Sequence, residues 1–331
     1  MNTNSIIDIK GIEVGQTEDS SALTGCTVVI VENGAVGGVS QRGGAPGTRE
    51  TDLLHPTHSV QKVHAVLLAG GSAFGLDAAA GVMQFLEERN IGFPVGQTVV
   101  PIVPSAILFD LDIGDHTVRP DKEMGYKACL NASEEKPFEG NHGAGMGATV
   151  GKILGGNQVM KSGIGTASMT IGNGIMIGAI IAVNAFGDVV EDGKIIAGAR
   201  TLRKGPVRVG SDSYFADTRE VMQSFAGRKI LSFAARKNTV IGVIATNAEL
   251  NKEEANYLAD IASNGISKAI QPAFTMFDGD TLFSLATGKI KADINLVAAY
   301  APDVVARAII NGVKSAATIS GIPSYSDQTA D

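Results

Sequence analysis

The chain has 331 residues, 44% of them apolar and 18% charged, a composition that supports a large buried core and excludes disorder. Its 27 basic and 34 acidic residues give a net charge of -7, so the basic footprint of a nucleic-acid binder is missing. Two cysteines, Cys26 and Cys129, exclude a disulfide scaffold and a four-cysteine metal site.

Residues 26–31 (CTVVIV) are a β-branched run, and Glu32-Asn33-Gly34 predicts a hairpin turn with 35–41 returning before a Gly-rich loop. Residues 63–69 (VHAVLLA) read as a buried strand, Gly70-Gly71-Ser72 as a turn, and 74–88 as an amphipathic helix ended by Asn90 and Gly92. Another apolar strand is expected over 101–112. Two β-type runs between 163 and 190, separated by Asn173-Gly174, predict a central antiparallel pair. The polar stretch 195–235 suits an exposed connector carrying one short helix. Residues 239–246 (TVIGVIAT) resume as a buried strand. Asn251 and Glu254 form a capping-box pattern opening a helix over 252–270. A short strand at 281–286 and a helix over 293–316, broken at Pro302, complete the chain. This mixture predicts a sheet sandwich covered by helices, a single α/β domain whose one seam is the connector before Thr239.

The N-terminal stretch lacks the pattern of a secretory signal. The apolar run 175–185, interrupted by Gly178, is shorter than the ~20 residues of a membrane span. A soluble cytoplasmic protein with no membrane partner is the expectation.

Glycine motifs offer little chemistry. GAGMGATVGK at 143–152 has the spacing of a loose dinucleotide loop but follows polar sequence rather than a strand, and Met146 and Ile153 stand where a phosphate loop needs Gly and Ser or Thr. His55 and His58 make the chain's His-x-x-His pair, which reads as loop histidines; no metal and no cofactor are expected. No conventional triad stands out either. One kind of amide hydrolase needs no histidine, because its nucleophile sits at a chain terminus and the α-amine, of pKa ~7.7, takes the proton. Its signature is a small residue or Asn before Ser, Thr or Cys where a connector enters a buried strand. Asn238-Thr239 has this form, which is equally the form of an ordinary turn.

LLAGGSAFGLDAAAGVMQFLEE (67–88), GAGMGATVGK (143–152), GIGTAS (163–168), IIAVNAFG (180–187), NTVIGVIATNAEL (238–250) and FDGDTLFSLATG (277–288) occur in that order. Together they resemble the DmpA-type L-aminopeptidase/D-esterase family, which includes β-peptidyl aminopeptidases and 6-aminohexanoate-oligomer (nylon-oligomer) endohydrolases. The resemblance implies an α-β-β-α sandwich that cuts itself between Asn238 and Thr239 into chains 1–238 and 239–331, with Thr239 as nucleophile. It also implies Asn184 as an oxyanion donor, Asp278 and Asp280 as the acidic pair of the nylon-oligomer enzymes, and Lys152 as a site lysine. Phe109 departs from the tyrosine of several relatives, so no phenolic donor carries over. Loops 42–52 and 70–74, with Gly71, Ser72 and Phe74, are the expected substrate-binding elements. Small peptide or amide substrates and a homo-oligomer, a tetramer of processed heterodimers, are implied as well. The expected activity is hydrolysis of short peptides or ω-amino-acid oligomers through an acyl-enzyme on Thr239. The alternatives are acyl transfer, as in ornithine acetyltransferases, whose cut is usually Ala-Thr, and a non-processing ligand-binding protein.

Overall fold

The computed structural model describes residues 3–201, 214–225, 227 and 238–328. Among them, nine strands share one hydrogen-bonded sheet: β1 (Glu13–Asp19), β2 (Thr24–Gln41), β3 (Thr48–Arg49), β4 (Lys62–Ala69), β5 (Ser105–Ile107), β6 (Ile164–Gly172), β7 (Ile175–Asn184), β8 (Thr239–Glu249) and β9 (Thr281–Lys291). Their order is β6-β7-β8-β9-β2-β4-β5-β3, with β1 paired to the first half of β2. The helices are α1 (Ala78–Glu87), α2 (Lys122–Leu130), α3 (Thr218–Gln223), α4 (Lys252–Ala262), α5 (Asn264–Ala269) and α6 (Ile294–Lys314).

The expected hairpin at Glu32-Asn33-Gly34 is replaced by one continuous strand. Both halves of β2 pair antiparallel with β4, from Cys26 opposite Ala69 to Val36 opposite Lys62, and the register slips between Ile30 and Ala35. Glu32, Asn33 and Gly34, the last with φ of 70°, form the bulge. Long-range pairing with the apolar β4 outweighs the local turn signal. Residues 24–30 of β2 also pair with β1, and residues 36–41 with β9, so this strand joins two facing layers.

Side-chain alternation shows those layers. Val29, Val66 and Leu68 of one half pack against Ile180, Ile241, Val243 and Phe283 of the other. On one outer face Cys26, Val28 and Leu67 lie under α1 and α2; on the opposite face Ile181, Val240, Ile244 and Leu282 lie under α4, α5 and α6. The expected α-β-β-α sandwich is therefore present. Cys26 and Cys129 are free, buried thiols of the same outer cluster.

Asn173 and Gly174, both with positive φ, turn β6 into β7 as expected. That pair is not central, because β6 is an edge strand whose outer face is covered by α6. Only residues 105–107 of the expected strand 101–112 pair as a strand. The helix expected over 74–88 is a 3₁₀ turn, Ser72–Asp77, followed by α1. The Asn251 and Glu254 capping box forms with both bonds at 2.9 Å, but its helix is divided at Ser263 into α4 and α5. β9 runs to Lys291, five residues beyond expectation. α6 continues through Pro302 without the expected break. Its length and composition would suffice to cross a membrane, yet Val297, Val304, Ala308 and Ile309 pack into the core. Of the expected connector, 194–197 is instead a strand, the short helix is α3, and 202–213, 226 and 228–235 lie outside the described residues.

α6 approaches β6 through two glycines. A Cβ on Gly165 would sit 2.1 Å from the Gly312 nitrogen and 2.3 Å from the Ala308 carbonyl oxygen. Both obstacles are backbone. Gly165→Ala is expected to destabilise the fold by about 1–3 kcal/mol, read as a lower midpoint in chemical denaturation; an unchanged midpoint would contradict this packing.

Candidate active site

Three strand ends converge at one end of the sandwich. β7 runs antiparallel to β8 with Asn184 directly opposite Thr239. β9 runs parallel to β8, pairing Thr281 with Ile241, so the residues entering both strands lie side by side and Asn238 bridges Asp278. Register alone thus collects Asn184, Asn238, Thr239 and the Asp278-Gly279-Asp280 turn.

Thr239 is 4% exposed. Its hydroxyl donates to the carbonyl oxygen of Asn238, and the same oxygen accepts the Gly279 N–H at 2.9 Å. A Cβ on Gly279 would stand 3.0 Å from Thr239 Oγ1 and 2.6 Å from the Ala45 carbonyl oxygen. Only glycine lets this turn approach so closely.

Asn184 is fully buried. Its Oδ1 accepts from the Thr149 N–H at 3.1 Å and from Lys152 Nζ at 2.7 Å, while Nδ2 donates to the Phe109 carbonyl at 2.9 Å. Two donors at the oxygen and an acceptor at the nitrogen fix which way the amide faces. Lys152 Nζ also donates to the Asn184 carbonyl at 3.1 Å. Phe109, the departure from relatives, therefore contributes its backbone rather than a ring hydroxyl.

The aspartates are buried and differently held. Asp278 accepts from Thr275 N–H at 2.9 Å, Thr275 Oγ1 at 2.6 Å and the Phe186 N–H. Burial pushes its pKa above the usual carboxylate range, against the pull of those bonds and of Lys152. Asp280 Oδ1 accepts from Val240 N–H at 2.7 Å and Oδ2 from Phe274 N–H at 3.1 Å. Burial first, and the Asp278 charge second, push Asp280 up to about 8. Both causes favour the protonated form of Asp280.

A cavity of about 640 Å³ opens beside Asn238, lined by Phe109, Asp110, Lys152, Ile153 and Phe186 among others. Asn238 has its Oδ1 buried with no hydrogen-bond partner among the described residues. Gly71, Ser72 and Phe74 are not among the lining residues. Gly71 lies one step behind the wall, donating to Asp110 at 2.7 Å, Ser72 donates to the Leu108 carbonyl, and Phe74 is 58% exposed beneath the Arg119 guanidinium. The loop at 42–52 braces the acidic turn instead, through Arg42 N–H to Asp280 and Ala45 N–H to Asp278. His55 and His58 are exposed and engaged locally with Thr57 and the Asp52 carbonyl.

Sequence reasoning missed the Gly279 N–H, Thr149, Thr275 and the backbone of Phe109 and Phe186. Gly279 had a signal, as a glycine held between two acids. The backbone donors and acceptors had none, since any residue supplies them.

Comparison with known proteins places the chain in a family. The model of peptidase family S58 matches residues 4–325. An uncharacterised aminopeptidase of Mycobacterium leprae (strain TN) is 41% identical, with 97% of this chain and 93% of the relative covered. A 6-aminohexanoate-oligomer endohydrolase of Kocuria sp. (strain KY2) is 32% identical, with 86% of this chain and 75% of the relative covered. Among solved structures, the L-aminopeptidase D-Ala-esterase/amidase of Ochrobactrum anthropi, described as a variant of the Ntn hydrolase fold, superposes with a TM-score of 0.70 at 18% identity, over 95% of this chain and 86% of that one. With a family match along nearly its whole length and a fold shared with those enzymes, this chain belongs to peptidase family S58 and is a hydrolase of peptide or amide bonds.

Proposed function

We propose that the enzyme makes its own base by cutting itself between Asn238 and Thr239, leaving chains of 238 and 93 residues, and then hydrolyses short peptides or ω-amino-acid oligomers through an acyl-enzyme on Thr239. One observation carries this reading. The Thr239 hydroxyl and the Gly279 N–H both meet the carbonyl of Asn238, the peptide that has to break.

In the first reaction Thr239 Oγ attacks the Asn238 carbonyl carbon, and the Gly279 N–H supports the negative charge gathering on the oxygen. The C–N bond then breaks, the hydroxyl proton ends on the departing nitrogen, and an ester joins Asn238 to Oγ. Water splits the ester, giving an Asn238 carboxylate and a Thr239 with a free hydroxyl and a free amine.

Turnover repeats the chemistry on a substrate amide. The new amine takes the Oγ proton as Oγ attacks, the leaving amine receives that proton, and water resolves the acyl-enzyme. Asn184, opposite Thr239 in the ladder, supplies Nδ2 toward the oxyanion while Lys152 and Thr149 hold its oxygen. The Asp278 and Asp280 pair supports the endohydrolase-like version of the substrate, an oligomer of 6-aminohexanoate type, and gives the newborn ammonium two carboxyl groups beside it.

Three outcomes test the reading. Wild type is expected to resolve into two chains on a denaturing gel, whereas Thr239→Ala stays at 34.1 kDa and inactive; an active, whole chain would end it. Asn184→Ala is expected to lose about 10²–10³-fold in turnover per cut chain, with wild-type rates removing it from the oxyanion role.

The third concerns pH. Asp280, at about 8 in the folded uncut chain against ~3.9 in an unfolded one, binds its proton more tightly when folded. The stability this contributes is complete below ~4 and is lost as pH rises through about 8. Uncut Thr239→Ala is therefore expected to melt at progressively lower temperature from about pH 6 to about pH 9, and adding Asp280→Asn flattens that slope. The same pH slope with and without Asp280→Asn would contradict a raised Asp280 pKa.

A further inference from the structure

The loop GAGMGATVGK binds no phosphate in this account, yet it carries both groups that hold the Asn184 oxygen, the Thr149 N–H and Lys152. What holds the loop is a lysine. Lys161 is 0% exposed. Its Nζ donates to the carbonyls of Gly145 and Ala148, each at 3.0 Å, and to that of Ser162.

Two more contacts tie this lysine to the loop. Lys161 pairs with Thr149 in a short antiparallel ladder that also joins Met160 to Val150, and the Ser162 N–H donates to the Ala148 carbonyl at 3.0 Å. The loop has no room to rearrange around a missing donor. A Cβ on Gly145 would meet the Ile164 nitrogen at 2.2 Å, and one on Gly147 the Leu23 carbonyl oxygen at 2.4 Å. Carbonyls turned inward in so tight a segment are costly to leave without donors, and Lys161 supplies one to each of the three.

We propose that Lys161 is a positioning residue of the active site: its Nζ gathers the carbonyls of Gly145, Ala148 and Ser162 and so keeps Thr149 N–H and Lys152 Nζ on Asn184 Oδ1. The inference rests on the reading above that Asn184 serves the oxyanion. Lys161 touches neither substrate nor Thr239; its effect passes through Asn184. Removing the Nζ donor while keeping the side chain's length leaves the Ser162 carbonyl without it and strips a second donor from the carbonyls of Gly145 and Ala148, and the Asn184 amide loses its fixed orientation. Transition-state stabilisation suffers and substrate binding does not.

The test uses full-length wild type, Lys161→Met and Lys161→Gln, the last keeping two N–H donors. Hydrolysis of an amino-acyl p-nitroanilide is measured per cut chain, together with hydrogen exchange at the Thr149 amide. Lys161→Met is expected to lose roughly 10- to 100-fold in kcat with KM within about twofold, and to exchange the Thr149 amide faster while β8 amides stay protected. Lys161→Gln falls between it and wild type. Wild-type kcat in a folded Lys161→Met, or failure of both variants to fold, overturns the proposal and leaves Lys161 a core group only. An uncut, inactive wild type would instead overturn the function on which the inference rests.

Discussion

The pairing of β8 between an antiparallel neighbour and a parallel one is the constraint on which the site depends. Antiparallel β7 delivers the end of a strand to the start of β8; parallel β9 delivers a second start. Side chains alternate, so a slip of one residue would turn Thr239 to the helix-covered face and Val240 toward Asn184. That slip is opposed along the whole strand. Val240 and Ile244 pack under the helices while Ile241, Val243 and Ala245 fill the space between the sheets. The Thr239 hydroxyl is therefore placed by apolar contacts several residues away from it.

The same burial that sets the register sets the electrostatics. With few charges in the chain, the polar side chains buried inside it are held by backbone groups: Asp278, Asp280, Asn184 and Lys161 all bond to main-chain donors or acceptors. Such interactions are strong in a low-dielectric interior and costly when left incomplete. The acidic pair shows the tension most clearly, since two carboxyl groups share one buried turn and burial pushes the pKa of both upward.

Much of the fold was legible because the long buried runs are unambiguous. The strands at 164–172 and 175–184 with their Asn-Gly turn, the strand at Thr239 and the Asn251 cap all carry local signals that agree with their tertiary surroundings. Errors arose where local and distant signals disagree. Glu32-Asn33-Gly34 has turn grammar, but β4 lies alongside both flanking runs and keeps the strand straight through a bulge. Pro302 interrupts one helical bond, and packing of the apolar face of α6 carries the helix across it. In the site, Thr239, Asn184, Lys152 and the aspartates can be singled out from sequence because their chemistry belongs to side chains, and the structure sets Asn184 opposite Thr239, Lys152 on Asn184 and Asp278 beside Asn238. The Gly279 N–H and the carbonyl of Phe109 cannot, because main-chain groups leave no mark on residue identity. Gly71 and Phe74, expected to meet the substrate, do not line the cavity beside Asn238, whose wall includes Asp110 and Lys152.

The most direct test of the account is to trap the working enzyme with a slowly hydrolysed ester and locate the acyl group by peptide mass spectrometry. The account predicts a peptide beginning at Thr239, with a free α-amine and the acyl group on its hydroxyl. An acyl group on any other residue, or labelled enzyme whose peptide still contains the bond from Asn238 to Thr239, would contradict it.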